Sequence, residues 1–344
     1  MSTPVSQAGL IDPPADVSKY SGWRELLADS VTDPAELCRL LGLGPSPADA
    51  ARRVPGGFPL LVPRSYLARI RPGDPEDPLL LQILPQRHEL NQPPEFSTDP
   101  VGESDMARSC GLLCKYRSRA LIVATGACAV HCRFCFRRHF PYPELPKPPG
   151  RWQSALERIG SDTSIREVIL SGGDPLTLDD EPLSQLARRL AEIPHLRRLR
   201  VHTRVPIVIP ERVTEGLLSW LRGTRLASVV VVHVNHPAEI DETVAAALGR
   251  LVDAGVPVLS QSVLLRRIND RADVLAELFE RLVDLRVMPY YLHQLDRVAG
   301  AAHFEVPEPI GVGLVEQLRA RLPGYAVPRY VREEPGEPYK RPLA

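Results

Sequence analysis

From residue 120 onward the chain alternates short apolar runs with longer amphipathic stretches, and this rhythm limits the fold more than any other feature. The runs lie at 120–124, 167–170, 199–202, 228–234, 256–260 and 287–292. Helix-patterned stretches lie between them at 152–159, 181–193, 211–221, 240–254 and 272–285, and another at 310–322 follows the last run. Strands separated by helices in this way pair in parallel through βαβ crossovers. Six such units predict an α/β fold, a partial (β/α)6 barrel. Barrels of parallel strands carry their functional groups at the C-terminal strand ends. Each run here does end on polar or small residues. The first leads to Cys128, the second to Ser171-Gly172-Gly173-Asp174-Pro175 and the third to His202-Thr203-Arg204. The fourth ends at His233-Val234-Asn235-His236, the fifth near Gln261 and the sixth at His293-Gln294-Leu295-Asp296.

The rest of the chain is read around that barrel. Residues 1–115 are rich in Pro with short helical patterns, and are expected to drape over the core without contributing chemistry. The barrel is expected over 116–324, followed by a C-terminal segment at 325–344. An apolar share of 44% with no membrane-length run fits a globular protein, and a signal-peptide pattern is absent, so a cytoplasmic location is expected. A formal net charge of zero argues against a general nucleic-acid binder.

Three of the six cysteines, Cys128, Cys132 and Cys135, stand in a C-x3-C-x2-C spacing directly after the first strand. Thiolates are the ligands that iron–sulfur clusters and zinc prefer. Three of them leave one metal position open to a small molecule, whereas a zinc knuckle would need His131 or His139 as a fourth ligand. Cys110 and Cys114 repeat the first spacing without a third cysteine, and are read as small buried side chains. Of the 42 basic residues only Lys19, Lys115, Lys147 and Lys340 are lysines, so chemistry that demands an amine has four candidates.

The cysteine spacing, with Phe134 before the last cysteine, resembles the radical S-adenosylmethionine (SAM) superfamily. The span from Lys115 to Lys340 resembles the lysine 2,3-aminomutase family within it. The resemblance rests on the stretches at 128–140, 171–176, 233–237, 261–266 and 289–292, together with Asn269, Asp270 and Asp296. Met288-Pro-Tyr-Tyr-Leu-His293 and Gly300-Ala-Ala-His-Phe304 resemble the short members that act in β-lysylation of translation elongation factor P.

The resemblance implies a [4Fe–4S] cluster on Cys128, Cys132 and Cys135, and SAM contacts from Gly172, Gly173, Asp174, His233 and Gln261. It also implies pyridoxal phosphate (PLP) bound through Lys340, on a C-terminal tail that folds back to the barrel mouth, with Tyr116 and Arg119 beside it. Arg137 is implied to hold the substrate carboxylate, and Asp296 and Glu333 the distal ammonium of lysine; larger members have an aspartate in place of Glu333. Those members also bind zinc in a C-terminal extension. Here no cysteine follows Cys135, and no structural zinc is expected.

The implied activity moves the amino group of L-lysine from C2 to C3. The implied partners are L-lysine, a flavodoxin- or ferredoxin-like electron donor, and elongation factor P through its lysyl ligase. No nucleic acid or membrane is implied, and a homo-oligomer stays open. Two other readings also stay open. One is a related aminomutase, for another amino acid or another β-lysine pathway. The other is a non-catalytic, metal-stabilised module that docks on a translation factor.

Overall fold

The computed structural model describes residues 20–54, 58–104, 111–146 and 150–344. Among them, nine strands form one sheet in chain order: β1 (Leu112–Leu113), β2 (Arg119–Thr125), β3 (Glu167–Gly172), β4 (Arg198–Thr203), β5 (Ala227–His233), β6 (Val258–Val263), β7 (Met288–His293), β8 (Arg329–Arg332) and β9 (Arg341–Pro342). Strands β2 to β8 are mutually parallel, and β1 and β9 pair antiparallel on the two edges. The sheet order does not return from β9 to β1, so the barrel is partial.

Burial explains why these residues form these elements. Strands covered on both faces read as continuous apolar runs, as in Val230-Val231-Val232 of β5, all buried. The helix Asp180–Glu192 buries Leu183, Leu186, Ala187 and Leu190, the i, i+3, i+4, i+7 stripe of an amphipathic helix. Each fully buried leucine of this kind contributes about 1.5–3 kcal/mol relative to exposure.

Two expected elements shift. The stretch 211–221 divides into a 3-10 turn, Pro210–Arg212, and the helix Glu215–Arg222. Thr214 caps that helix by accepting from the Leu217 N–H at 3.2 Å. The fifth run moves toward the C-terminus as β6, because Gly255 and Pro257 precede it in the turn from the helix Glu242–Asp253. Gln261 therefore lies inside β6, opposite His233 on β5.

The C-terminal segment joins the sheet. Strand β8 adds a seventh parallel strand beside β7, and β9 folds back on β8 with Arg341 opposite Arg332. Tyr330 anchors this return. It is fully buried, its hydroxyl donates to Gln294, and its ring lies under Gly311 of the helix Glu308–Arg321. A Cβ at Gly311 would come 2.1 Å from the Tyr330 hydroxyl oxygen, so only glycine fits there.

The described part of the N-terminal region is packed onto the same core. Leu60, Val62, Leu79 and Ile83 share a continuous hydrophobic cluster with the strands and helices of the barrel. Ser65 donates to the Val208 carbonyl at 2.6 Å, and Trp23 lies under the Arg212 guanidinium at 4.6 Å. Among the described residues no helix is long and apolar enough to cross a membrane.

Candidate active site

The C-terminal ends of the parallel strands open onto a cavity of about 610 Å³. All fourteen residues singled out in the sequence line it, although they come from positions as far apart as Tyr116 and Lys340.

At one end lies the cysteine loop that follows β2. Gly172 and Gly173 are required where β3 meets this loop. A Cβ on Gly173 would lie 2.2 Å from the Ala127 carbonyl oxygen, and one on Gly172, at φ 120°, 2.6 Å from that of Thr125. The Gly173 and Asp174 N–H groups instead donate to Thr125 and Ala127 at 2.7 Å each. Their absent side chains thus admit the cysteine loop, where the sequence reading expected them to admit a ligand.

Asp174, implied as a SAM contact, has its carboxylate committed to protein. Its carboxylate accepts from Leu176 N (3.0 Å), Thr203 Oγ1 (2.7 Å), Arg204 N (2.6 Å) and Val205 N (3.2 Å). Burial raises its pKa to about 6 against those donors. Its position couples the ends of β3 and β4.

The basic residues beside the cysteines are inward anchors. Arg133 is buried and grips Glu89 through Nε (2.8 Å) and an NH2 nitrogen (2.6 Å), and Arg138 reaches the same carboxylate at 2.7 Å. Arg204, from the end of β4, donates to Cys132 Sγ at 2.7 Å, to Gln82 at 2.6 Å and to Glu239 at 2.8 Å. Burial pushes all three thiols up, Cys135 to about 11, while Arg204 pulls Cys132 back. Thiolate ligands in such a site need a cationic group to bind, which matches the chemistry of an iron–sulfur cluster. The histidines of the zinc alternative face elsewhere: His131 Nδ1 meets the Pro59 carbonyl at 2.8 Å, and His139 Nε2 that of Ala299 at 3.2 Å.

Mid-cavity, His233 packs at a tilt on Phe134 with ring centres 5.6 Å apart. Burial lowers its pKa to about 3, so it is neutral near pH 7.

At the far end, the β8–β9 turn returns Lys340 to Glu333, and the two side chains form an ion pair. Lys115 meets Glu333 at 3.1 Å and Glu103 at 3.1 Å. Burial opposes ionisation of Glu333, but Lys340 and Lys115 outweigh it and hold the carboxyl at about 2. Asp296 behaves oppositely, because burial pushes it up to about 7 even with Lys340 nearby. Arg119 lies over the Tyr116 ring at 4.7 Å. Three buried polar atoms at this end have no hydrogen-bond partner, Arg119 Nε, Arg200 Nε and His202 Nε2, while the Tyr116 hydroxyl has the Glu333 carboxylate beside it.

Arg137, implied to hold the substrate carboxylate, lines the cavity and is buried against Glu103 at 2.6 and 3.1 Å. Two features correct the sequence reading. The N-terminal region does contribute to the site, through Glu103. Cys114, expected to be buried, is exposed, while Cys110 lies outside the described residues. Sequence reasoning also missed Arg200 and Lys115 as wall residues. Arg200 lies within the third apolar run and Lys115 immediately precedes Tyr116, so position alone offered a signal for both.

Residues 122–279 match the Radical SAM superfamily. Among curated relatives, the L-lysine 2,3-aminomutase of Escherichia coli (strain K12) is 47% identical over 327 residues, covering 93% of this chain and 94% of the relative. The Haemophilus influenzae L-lysine 2,3-aminomutase is 43% identical, with 94% and 96% covered. That of Clostridium subterminale is 35% identical over 94% of this chain and 78% of its own. Identity at this level across nearly the whole length means that this chain belongs to the lysine 2,3-aminomutase family of radical SAM enzymes.

Proposed function

We propose that this chain converts L-lysine to β-lysine in the strand-end cavity, using a [4Fe–4S] cluster, SAM and PLP. The observation that carries the proposal is the meeting of a three-cysteine loop and a lysine amine, 205 or more residues apart in sequence, in one cavity. When bound, the cluster and SAM supply a radical that removes a hydrogen atom, and PLP supplies the site across which an amino group migrates.

The chain's own residues hold and orient these groups. Cys128, Cys132 and Cys135 are assigned to three iron positions, leaving the fourth to SAM, with Gly172, Gly173, Asp174, His233 and Gln261 around it. Asp174 acts through the backbone of β3 and β4, since its own oxygens are occupied. The fit to PLP rests on Lys340 and on the unpartnered Arg119 Nε, a donor suited to a phosphate oxygen, with the Tyr116 ring under Arg119. Arg137 is assigned to the substrate carboxylate, a planar fork for a planar anion. Asp296 and Glu333 are assigned to the distal ammonium; both are carboxyls whose ionised forms pair with cations at this end of the cavity. The buried walls exclude water from the reacting atoms.

We also propose that the β-lysine produced serves modification of elongation factor P through a lysyl ligase, with electrons from a flavodoxin- or ferredoxin-like donor. Identity of 47% to the E. coli relative, against 35% to the C. subterminale one, supports grouping with the former. Anaerobic reconstitution with iron, sulfide, SAM, PLP and a reductant tests the activity. β-Lysine should accumulate from L-lysine, and no corresponding product from L-glutamate. Turnover of glutamate in preference to lysine would move the assignment to another aminomutase. Mass analysis of elongation factor P from cells with and without this gene tests the pathway.

A further inference from the structure

Glu103 lies in the cavity wall with its carboxylate buried, and no step of the reaction yet uses it. Its Oε2 accepts from Arg137 Nε at 2.6 Å and its Oε1 from an Arg137 NH2 nitrogen at 3.1 Å. The carboxylate thus takes one side edge of the guanidinium plane. The remaining nitrogen, NH1, donates to Ser171 Oγ at 3.2 Å. A guanidinium carries five N–H groups in one plane. The side edge held by Glu103 and one bond to Ser171 use three of them. Two remain, one on each terminal nitrogen; with Ser171 on the NH1 hydrogen that points away from NH2, these two form the end edge of the fork. That edge accommodates a second carboxylate.

Charge and connection agree with this use. Arg137, Lys115 and Lys340 carry three positive charges against two on Glu103 and Glu333, so the linked group retains one unit of positive charge for an incoming anion. Lys115 also reaches Glu333, so Glu103 sits between the residue assigned to the carboxylate and one assigned to the ammonium.

Resting on the assignment of Arg137 to the substrate carboxylate, we propose that Glu103 is a positioning residue. It holds the Arg137 fork side-on so that the end edge faces the carboxylate of the bound amino acid. Glu103 therefore acts on recognition of the α-carboxylate more than on recognition of the amines.

The test is equilibrium binding to the holoenzyme carrying cluster, SAM and PLP, without reductant so that nothing turns over. Binding is followed by the visible spectrum of PLP, with L-lysine and with 1,5-diaminopentane, which lacks the carboxylate. Glu103→Gln should weaken L-lysine by about ten-fold or more, the scale of a misplaced charged hydrogen bond, and diaminopentane by less than about two-fold. Glu103→Asp, which keeps the charge, should recover part of the loss. Under reducing conditions KM for L-lysine should rise with little change in kcat. Arg137→Lys should show the same selectivity, and the double variant should be no worse than Arg137→Lys alone. Unchanged L-lysine binding in Glu103→Gln beside a loss in Arg137→Lys would overturn the proposal and spare the Arg137 assignment. Unchanged binding in Arg137→Lys would overturn that assignment itself. Equal weakening of both ligands in Glu103→Gln would reduce Glu103 to a structural role and overturn the proposal.

Discussion

At the cysteine end of the cavity the charged groups hold one another, whereas at the lysine end several wait for a partner. Asp174 accepts four hydrogen bonds from the protein, and Arg204 spans Cys132, Gln82 and Glu239. Arg133 and Arg138 share Glu89. Across the cavity Arg119 Nε, Arg200 Nε and His202 Nε2 are buried without a hydrogen-bond partner, and burial pushes Asp296 up to about 7. Arg138 Nε and Arg204 Nε at the cysteine end are also unpartnered, but both guanidiniums are held there by two or more other bonds. Buried polar groups left unpaired are costly, and they persist where a ligand completes them. The difference separates groups that position from groups that bind. One end is a largely finished frame, suited to the proposed cluster, and the other keeps donors and acceptors for the proposed cofactor and substrate.

If the two ends are independent in construction, they should fail independently. The largest expected effects are losses of one end alone. Cys132→Ala should abolish turnover and the cluster absorbance while the visible absorbance of bound PLP survives. Lys340→Ala should do the reverse, losing the PLP absorbance and turnover while the cluster spectrum persists. Loss of both signals in either variant would show that the ends do not assemble separately.

A smaller effect sharpens the account of the finished frame. Glu239→Leu leaves Arg204 buried without its carboxylate, and removing one partner of such a pair costs roughly 3–5 kcal/mol. A large fall in the urea midpoint of the metal-free protein checks this; a shift within error would mean that the frame does not depend on the pair.

The smallest effect concerns pH at the open end. Asp296 is raised to about 7 by burial, so it is protonated below that pH and ionised above it. Only the ionised form attracts an ammonium. Lysine affinity should therefore fall as pH drops below about 7, by up to about ten-fold per unit, and Asp296→Asn should flatten the profile. An unflattened profile would assign the titration elsewhere, Glu103, Glu333, Lys115 and Lys340 being the charged groups that face Asp296.

Much of the frame was legible in the sequence because burial writes it as pattern. The six parallel strands announced by apolar runs are present, and their polar ends meet on one rim. The seventh, β8, escaped because Arg329-Tyr-Val-Arg332 shows only two apolar residues between two charges. Its partner is the distant β7, and its anchor is the fit of Tyr330 beneath Gly311, which no local pattern reports. Glu103 escaped for the same reason. A single acid in a Pro-rich region looks solvated until the fold brings Arg137 and Lys115 to it. The glycines after β3 were visible, but what they make room for was not: they admit the cysteine loop, a contact between strands 40 or more residues apart in sequence.

The central claim is that both ends act on one substrate molecule inside one cavity. The most direct measurement uses L-lysine deuterated at C3 with the reduced holoenzyme, and follows the label into 5′-deoxyadenosine, the product of SAM cleavage. The account predicts deuterium in 5′-deoxyadenosine together with β-lysine, and neither in Lys340→Ala. SAM cleavage that leaves 5′-deoxyadenosine unlabelled and lysine unchanged would contradict it.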